Sequence, residues 1–221
     1  MKHCLFAIAG VIAVLASCFS PYKGNETTGL PGDGTKIISS DLFNPFDSYP
    51  NTIRFYTNDP KYQTPSGFTL WTFSSDPAVF QERTAELWKT AGSRIAGYGL
   101  IIGASEQPVG GFTENVFLTV MIRDNGQYAV GKVIGAAYIP VVNWKTNAGL
   151  LPYNTGIANK IKIVQKPGNQ YSYDLYFNDI PSDPFTDEIE PRCEGNVQNG
   201  YIVVIAPDDL ISSAVEVFFR E

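Results

Sequence analysis

From Thr52 onward, apolar and polar residues trade places with a period of two, and Gly, Pro and Asn-Gly interrupt the pattern at short intervals. Such alternation turns one face of an extended strand toward a core and the other toward water. Phe68-Thr69-Leu70-Trp71-Thr72-Phe73 is entered through Gly67, and residues 98–102 are bracketed by Gly97 and Gly103. Residues 116–122 lead through Asp124-Asn125-Gly126 into residues 128–133. Asn-Gly between two such runs predicts a hairpin, because both residues tolerate positive φ. Residues 138–144 follow, then a loop rich in Gly and Pro through Thr155-Gly156. Lys160-Ile161-Lys162-Ile163 alternates strictly, and Pro167-Gly168-Asn169 turns the chain into residues 171–177. A polar loop spans 178–198, and residues 201–205 and 215–219 complete the pattern. Roughly ten strands separated by turn signals, without a βαβ rhythm or repeats, predict an all-β sandwich or barrel. The stretch Val109-Gly110-Gly111 has no helix after it and reads as a loop, not a phosphate cradle.

One segment is ambiguous. Asp76-Pro77, residues 79–91 and Gly92 fit a capped helix with Phe80, Leu87 and Trp88 on one face. Read as a strand, Ala85 and Leu87 point one way, while Glu86 and Trp88 point the other. Periodicity alone slightly favours the helix.

Composition supports a folded body. The 221-residue chain is 44% hydrophobic and 17% charged, too apolar for disorder, and its 12 Tyr and 14 Phe favour strands. A net charge of −6 argues against nucleic acid, whose phosphates call for clustered Lys and Arg. The sole histidine is His3, so the body offers no Ser-His-Asp or Cys-His system, no His-Glu-x-x-His zinc helix and no His-ligated metal. No metal and no cofactor is expected.

The first residues read as a leader. Met1-Lys2-His3 is a positive n-region, and the apolar stretch 5–16 is shorter than the ~20 residues of a spanning helix. Leu15-Ala16-Ser17-Cys18 resembles the lipobox of bacterial lipoproteins. That resemblance implies a signal peptide over 1–17, a diacylglyceryl group on the Cys18 thiol and a lipid anchor in the cell envelope, on the inner or outer membrane. Acyl chains contribute ~0.8 kcal/mol per buried CH₂, so two or more hold stably. Residues 18–45 then form the lipidated N-terminus and a flexible tether, and 46–221 the sandwich domain. Cys193 is left without an intramolecular partner and is expected to be a quiet, partly buried thiol.

Several stretches in order resemble the bacterial concanavalin A-like, laminin-G-type domain: Glu86-Leu87-Trp88-Lys89, the glycine-bracketed run from Gly97 to Gly103, the two runs around Gly126, Val141-Val142-Asn143-Trp144, and the Asn159-led strand followed by residues 173–178. The resemblance covers residues 50–220. It implies a jelly-roll sandwich of two antiparallel sheets, and it favours a strand over 79–91. The fold is associated with glycan or protein binding, and some members are glycosidases, so fold alone does not fix function. The laminarinase-like members carry Glu-x-Asp-x-x-Glu on one strand, and this chain has no such motif. Its acidic cluster Asp187-Glu188-Ile189-Glu190 reads as a solvated loop, with a calcium loop using Asp183, Asp187 and Glu190 as the alternative.

The three tryptophans are first of all packing residues, since burying one is worth roughly 4–6 kcal/mol. Trp88 stands apart because, as part of a strand, it faces away from Ala85 and Leu87. Tyr138, Asn143, Trp144, Tyr153 and Asn154 gather near one set of loops in the sequence. With Trp88 they are the candidate ligand-binding residues, able to offer rings and amides to a sugar or a peptide. The expected function is a membrane-anchored, non-catalytic module that is not an enzyme and binds an extracellular glycan or an envelope or host protein. The alternatives are a glycoside hydrolase of the concanavalin A-like class and a purely structural envelope protein.

Overall fold

The computed structural model describes residues 36–151, 158–207 and 214–221. The leader, Cys18, Tyr153 and Asn154 lie outside the described residues. Sixteen strands follow in chain order: β1 (Lys36–Ser39), β2 (Phe43–Pro45), β3 (Thr52–Thr57), β4 (Phe68–Phe73), β5 (Ala78–Val79), β6 (Glu82–Ala91), β7 (Tyr98–Val109), β8 (Phe112–Arg123), β9 (Gln127–Ile134), β10 (Ala137–Thr146), β11 (Asn159–Lys166), β12 (Asn169–Phe177), β13 (Ile180–Pro181), β14 (Phe185–Thr186), β15 (Asn196–Ile205) and β16 (Val215–Arg220).

They build two eight-stranded sheets. The order in one, sheet A, is β1-β4-β15-β7-β8-β9-β10, with β5 beside β15. The order in the other, sheet B, is β13-β12-β11-β6-β16-β3-β2, with β14 beside β12. Every pairing is antiparallel except β1 with β4. Both sheets send alternate residues into one core, including Phe55, Leu70, Leu87, Leu100, Val120, Val130, Ile161, Phe177, Val203 and Phe219. The protein is a jelly-roll β-sandwich, as the alternation and the resemblance imply.

The ambiguous segment is extended. Glu82–Ala91 forms β6, which pairs with β11 on one side and β16 on the other. Ala85 and Leu87 enter the core while Glu86 and Trp88 face out, so two neighbours supplying backbone partners outweigh a weak helical period. Val109-Gly110-Gly111 belongs to a long hairpin, with Gly110 and Gly111 at φ of 56° and 89° turning β7 into β8. The arms carry polar Ser105-Glu106-Gln107 and Thr113-Glu114-Asn115 and so lack an apolar alternation to read.

Asp187 is a further departure from the solvated-loop reading. It is 3% exposed and accepts a 2.7 Å hydrogen bond from the Nζ of Lys132, which is fully buried on β9. Lys132 also donates to the carbonyl of Ile189. An unpaired buried charge costs several kcal/mol, so this pair ties the loop after β14 to sheet A. The other two acids of the proposed calcium loop have separate cations: Asp183 pairs with Lys145, and Glu190 with Arg192 at 3.3 Å. Beside them the Cys193 thiol donates to Val116 O at 3.1 Å, and burial raises its pKa.

Candidate functional site

The outward faces of the two sheets place the sequence-predicted residues in different environments. On sheet A, Trp71, Ile101, Phe117, Met121, Ala129, Val133 and Ile202 form a second apolar cluster turned away from sheet B. Tyr138 and Trp144 belong to this face. The Tyr138 ring lies over Gly131, where a Cβ would come within 2.1 Å of it. Arg123 sits 4.5 Å from the Trp144 ring centre. Thr69 Oγ1 and Trp144 Nε1 are buried here without a hydrogen-bond partner among the described residues. Asn143, next to Trp144, is exposed. Trp88 does not join this group.

Trp88 stands on the outward face of sheet B, opposite Phe218 of β16 in the register, with the two rings stacked at 5.0 Å and 8°. The turn between β2 and β3 brings Phe46 within 5.1 Å of Phe218 and Tyr49 within 6.5 Å of Trp88. Asn51 closes this turn at a φ of 55°, and Phe46 N donates to Thr52 O at 2.8 Å. Asn and Asp are the side chains that best tolerate this left-handed conformation. The backbone of Glu221 then donates to Asn51 O at 3.3 Å, so the turn and the end of β16 share one anchor.

Glu221 is the centre of the local chemistry. Its Oε1 accepts from Arg83 Nε at 2.9 Å, from Arg83 Nη2 and from the Tyr201 hydroxyl at 3.0 Å. Arg83 is 6% exposed and is itself fixed by the carbonyls of Ile101 at 2.8 Å and Gly200 at 2.6 Å. Its guanidinium lies 4.9 Å from the Tyr201 ring. Burial, with Glu221 adding and Arg83 opposing, pushes the Tyr201 phenol up to about 12. Three donors on one oxygen orient the carboxylate.

Two clefts meet at this residue. The larger, about 600 Å³, is lined by Phe46, Asp47, Tyr49, Ser74, Tyr201 and Glu221 among others. The smaller, about 240 Å³, is lined by Thr84, Glu86, Lys160, Arg220 and Glu221. Glu86 faces Arg220 across the strands, with Arg220 Nε donating to its Oε2 at 2.9 Å. The larger volume falls within the ordinary range for ligand sites. None of the described sequence-predicted residues lines these clefts; Trp88 reaches the larger one only through its contact with Tyr49. Arg83 and Glu221 are 138 positions apart, which is why no local signal marked them. Among the described residues no group of three or more His, Cys, Asp or Glu is placed to hold a metal.

Comparison with known proteins bears on the fold. No protein-family profile and no curated protein matches this chain. Solved structures do. The likeness is one of fold. A Bacillus licheniformis β-glucanase superposes with a TM-score of 0.53 at 10% identity, over 90% of this chain and 86% of that one. A glycoside hydrolase family 16 endo-glucanase from Bacteroides ovatus gives 0.51 at 6%, over 76% and 78%. A structure described as a native glycosidic hydrolase gives 0.52 at 9%, over 84% and 82%. At these identities the shared property is the jelly-roll fold. The expectation that the chain is not an enzyme, which rested on the missing histidines and the missing Glu-x-Asp-x-x-Glu motif, is nevertheless overturned: the sandwich is the one these hydrolases are built on.

Proposed function

We propose that the protein is carbohydrate-active, seating a glycan chain in the two clefts that share Glu221 and cutting it there. The observation that carries this reading is the orientation of Glu221 by Arg83 and Tyr201 at the wall common to both clefts. Sugar rings offer apolar CH faces to aromatic rings and hydroxyls to polar groups, and Tyr49 and Tyr201 line the larger cleft beside Asp47 and Ser74. Glycosidic cleavage takes two carboxyl groups flanking the scissile bond, one to protonate the leaving oxygen and one to support the developing positive charge. Glu86 is engaged by Arg220. Asp47, which lines the larger cleft with Glu221, is assigned to protonate the leaving oxygen, and Glu221 to support the positive charge until water adds to the sugar carbon and returns a proton to Asp47.

The test uses a mixed-linkage β-glucan, chosen because two of the similar structures are named as glucanases, with reducing-end release and retardation in a glucan-containing gel as separate readouts. Wild-type protein is expected to release sugar, and Glu221→Gln to slow release by about 100-fold or more while retardation persists. Retardation without release would overturn the cleavage step, and no retardation on any glucan would overturn the glycan reading. We propose also that Cys18 is acylated and holds the sandwich at the envelope membrane. Cys18→Ala is expected to move the protein to the soluble fraction, and a variant that still sediments with membranes would remove the anchor.

A further inference from the structure

A third cleft lies on the same strands as the site above. It measures about 790 Å³ and is walled at the β11–β12 turn by Gln81, Gln165, Asn169, Gln170 and Tyr171, with Glu82 and Lys166 at its rim. The polar wall is internally set: Gln165 Nε2 donates to Gln170 O at 2.8 Å, and Gln170 Nε2 donates to the Tyr171 hydroxyl at 2.8 Å. The Tyr171 hydroxyl donates in turn to Glu194, and Arg192 stacks 4.6 Å from its ring centre. The charges at the rim are already matched, Glu82 with Lys162 at 3.3 Å and Lys166 with Asp174 at 3.2 Å.

Side-chain amides and a phenol present donors and acceptors together, which suits hydroxyl groups that also do both. A charged ligand would have to displace standing ion pairs, so the lining selects for a neutral one. The position is equally informative. Strand β6 contributes Thr84 and Glu86 to the smaller Glu221 cleft and Glu82 to this one. Four residues of strand, about 13 Å, separate Glu82 from Glu86. That span exceeds a single sugar ring and runs along one pair of strands, β6 and β11, with Glu82 paired to Val164 at one end, Glu86 to Lys160 at the other and Thr84 to Lys162 between them.

We infer that the β11–β12 cleft is a remote binding subsite for a neutral, polymeric glycan whose chain runs along β6 and β11 from the Glu221 clefts. The inference rests on the carbohydrate reading above and names its substrate class: uncharged chains of several sugars, with short oligosaccharides too short to reach both ends.

The experiment compares the wild-type chain with Gln170→Ala and Tyr171→Ala, measuring Kd for a neutral glucan polymer and for its trisaccharide by titration calorimetry, with circular dichroism to confirm the fold. Both variants are expected to bind the polymer about tenfold more weakly, the scale of one or two hydrogen bonds, and to bind the trisaccharide as wild type does. Unchanged polymer affinity in both variants, or equal loss on polymer and trisaccharide, would overturn the remote subsite while leaving the Glu221 site standing. Wild-type protein that binds neither ligand would overturn the carbohydrate reading itself.

Discussion

The two outward faces of this sandwich use the same alternation of side chains to opposite ends. On sheet A the outward positions Ile101, Phe117, Met121, Ala129 and Ile202 are fully buried, and the few polar atoms among them, Thr69 Oγ1 and Trp144 Nε1, lack partners among the described residues. On sheet B the outward positions form cross-strand ion pairs: Arg54 with Glu216, Arg220 with Glu86 and Lys162 with Glu82. The first face stabilises by exclusion of water. The second remains wet, and the smaller cleft opens among its charges at Glu86, Lys160 and Arg220. Aromatic content does not distinguish them, because Trp71 and Trp144 lie on one and Trp88 on the other. What separates candidate chemistry from packing is the pairing of rings with accessible polar groups.

This contrast can be broken experimentally. The largest effect is expected on sheet A, where Phe117→Ala should lower unfolding free energy by about 3–5 kcal/mol in urea titration. A loss below about 1 kcal/mol would show that this face is not a second core. Next comes the wall of the larger cleft, where Tyr201 of β15 in sheet A faces the core. The Tyr201 phenol titrates at about 12 in the folded protein and 10 in its unperturbed form. Between these values the folded state holds the proton that the unfolded chain has lost, so the stabilisation is complete below pH 10 and disappears as pH rises through 12. The expected loss is about 2–3 kcal/mol, and Tyr201→Phe should remove that part of the alkaline dependence. Burial raises Tyr173 in the same direction, so a smaller alkaline slope should persist in the variant.

Smaller effects belong to the exposed face. Trp88→Ala removes the stack on Phe218 and should cost about 1–2 kcal/mol, clearly less than Phe117→Ala by the same titration. Smallest of all, Glu216→Gln breaks the pair with Arg54, whose side chain is 36% exposed, and should change stability by less than about 1 kcal/mol. That change should shrink further in 1 M salt. Equal responses of Phe117 and Glu216 variants would remove the distinction between a buried and a solvated face.

The strands that could be read ahead of the structure are those whose alternation spans the core. The run Phe68–Phe73 matches β4 to the residue, and the Asn125-Gly126 turn joins β8 to β9 with Gly126 at a φ of 79°. Short strands such as Ala78–Val79 and Ile180–Pro181 carry no pattern of their own and exist because a longer neighbour offers backbone partners. The candidate site was less legible. The outward parity of Trp88 is legible in the sequence, but the meeting of Glu221 with Arg83 and Tyr201 is not.

The sequence by itself therefore determined the alternating strands, the turns that need Asn or Gly, and with them the all-β class, because these depend on residues a few positions apart. Tertiary structure alone decided that Arg83, Tyr201 and Glu221 meet, that Lys132 finds Asp187 inside, and that one outward face is dry and the other wet. Each of those outcomes joins strands far apart in the chain, and register between distant strands is set by packing of the whole core, which no local window contains.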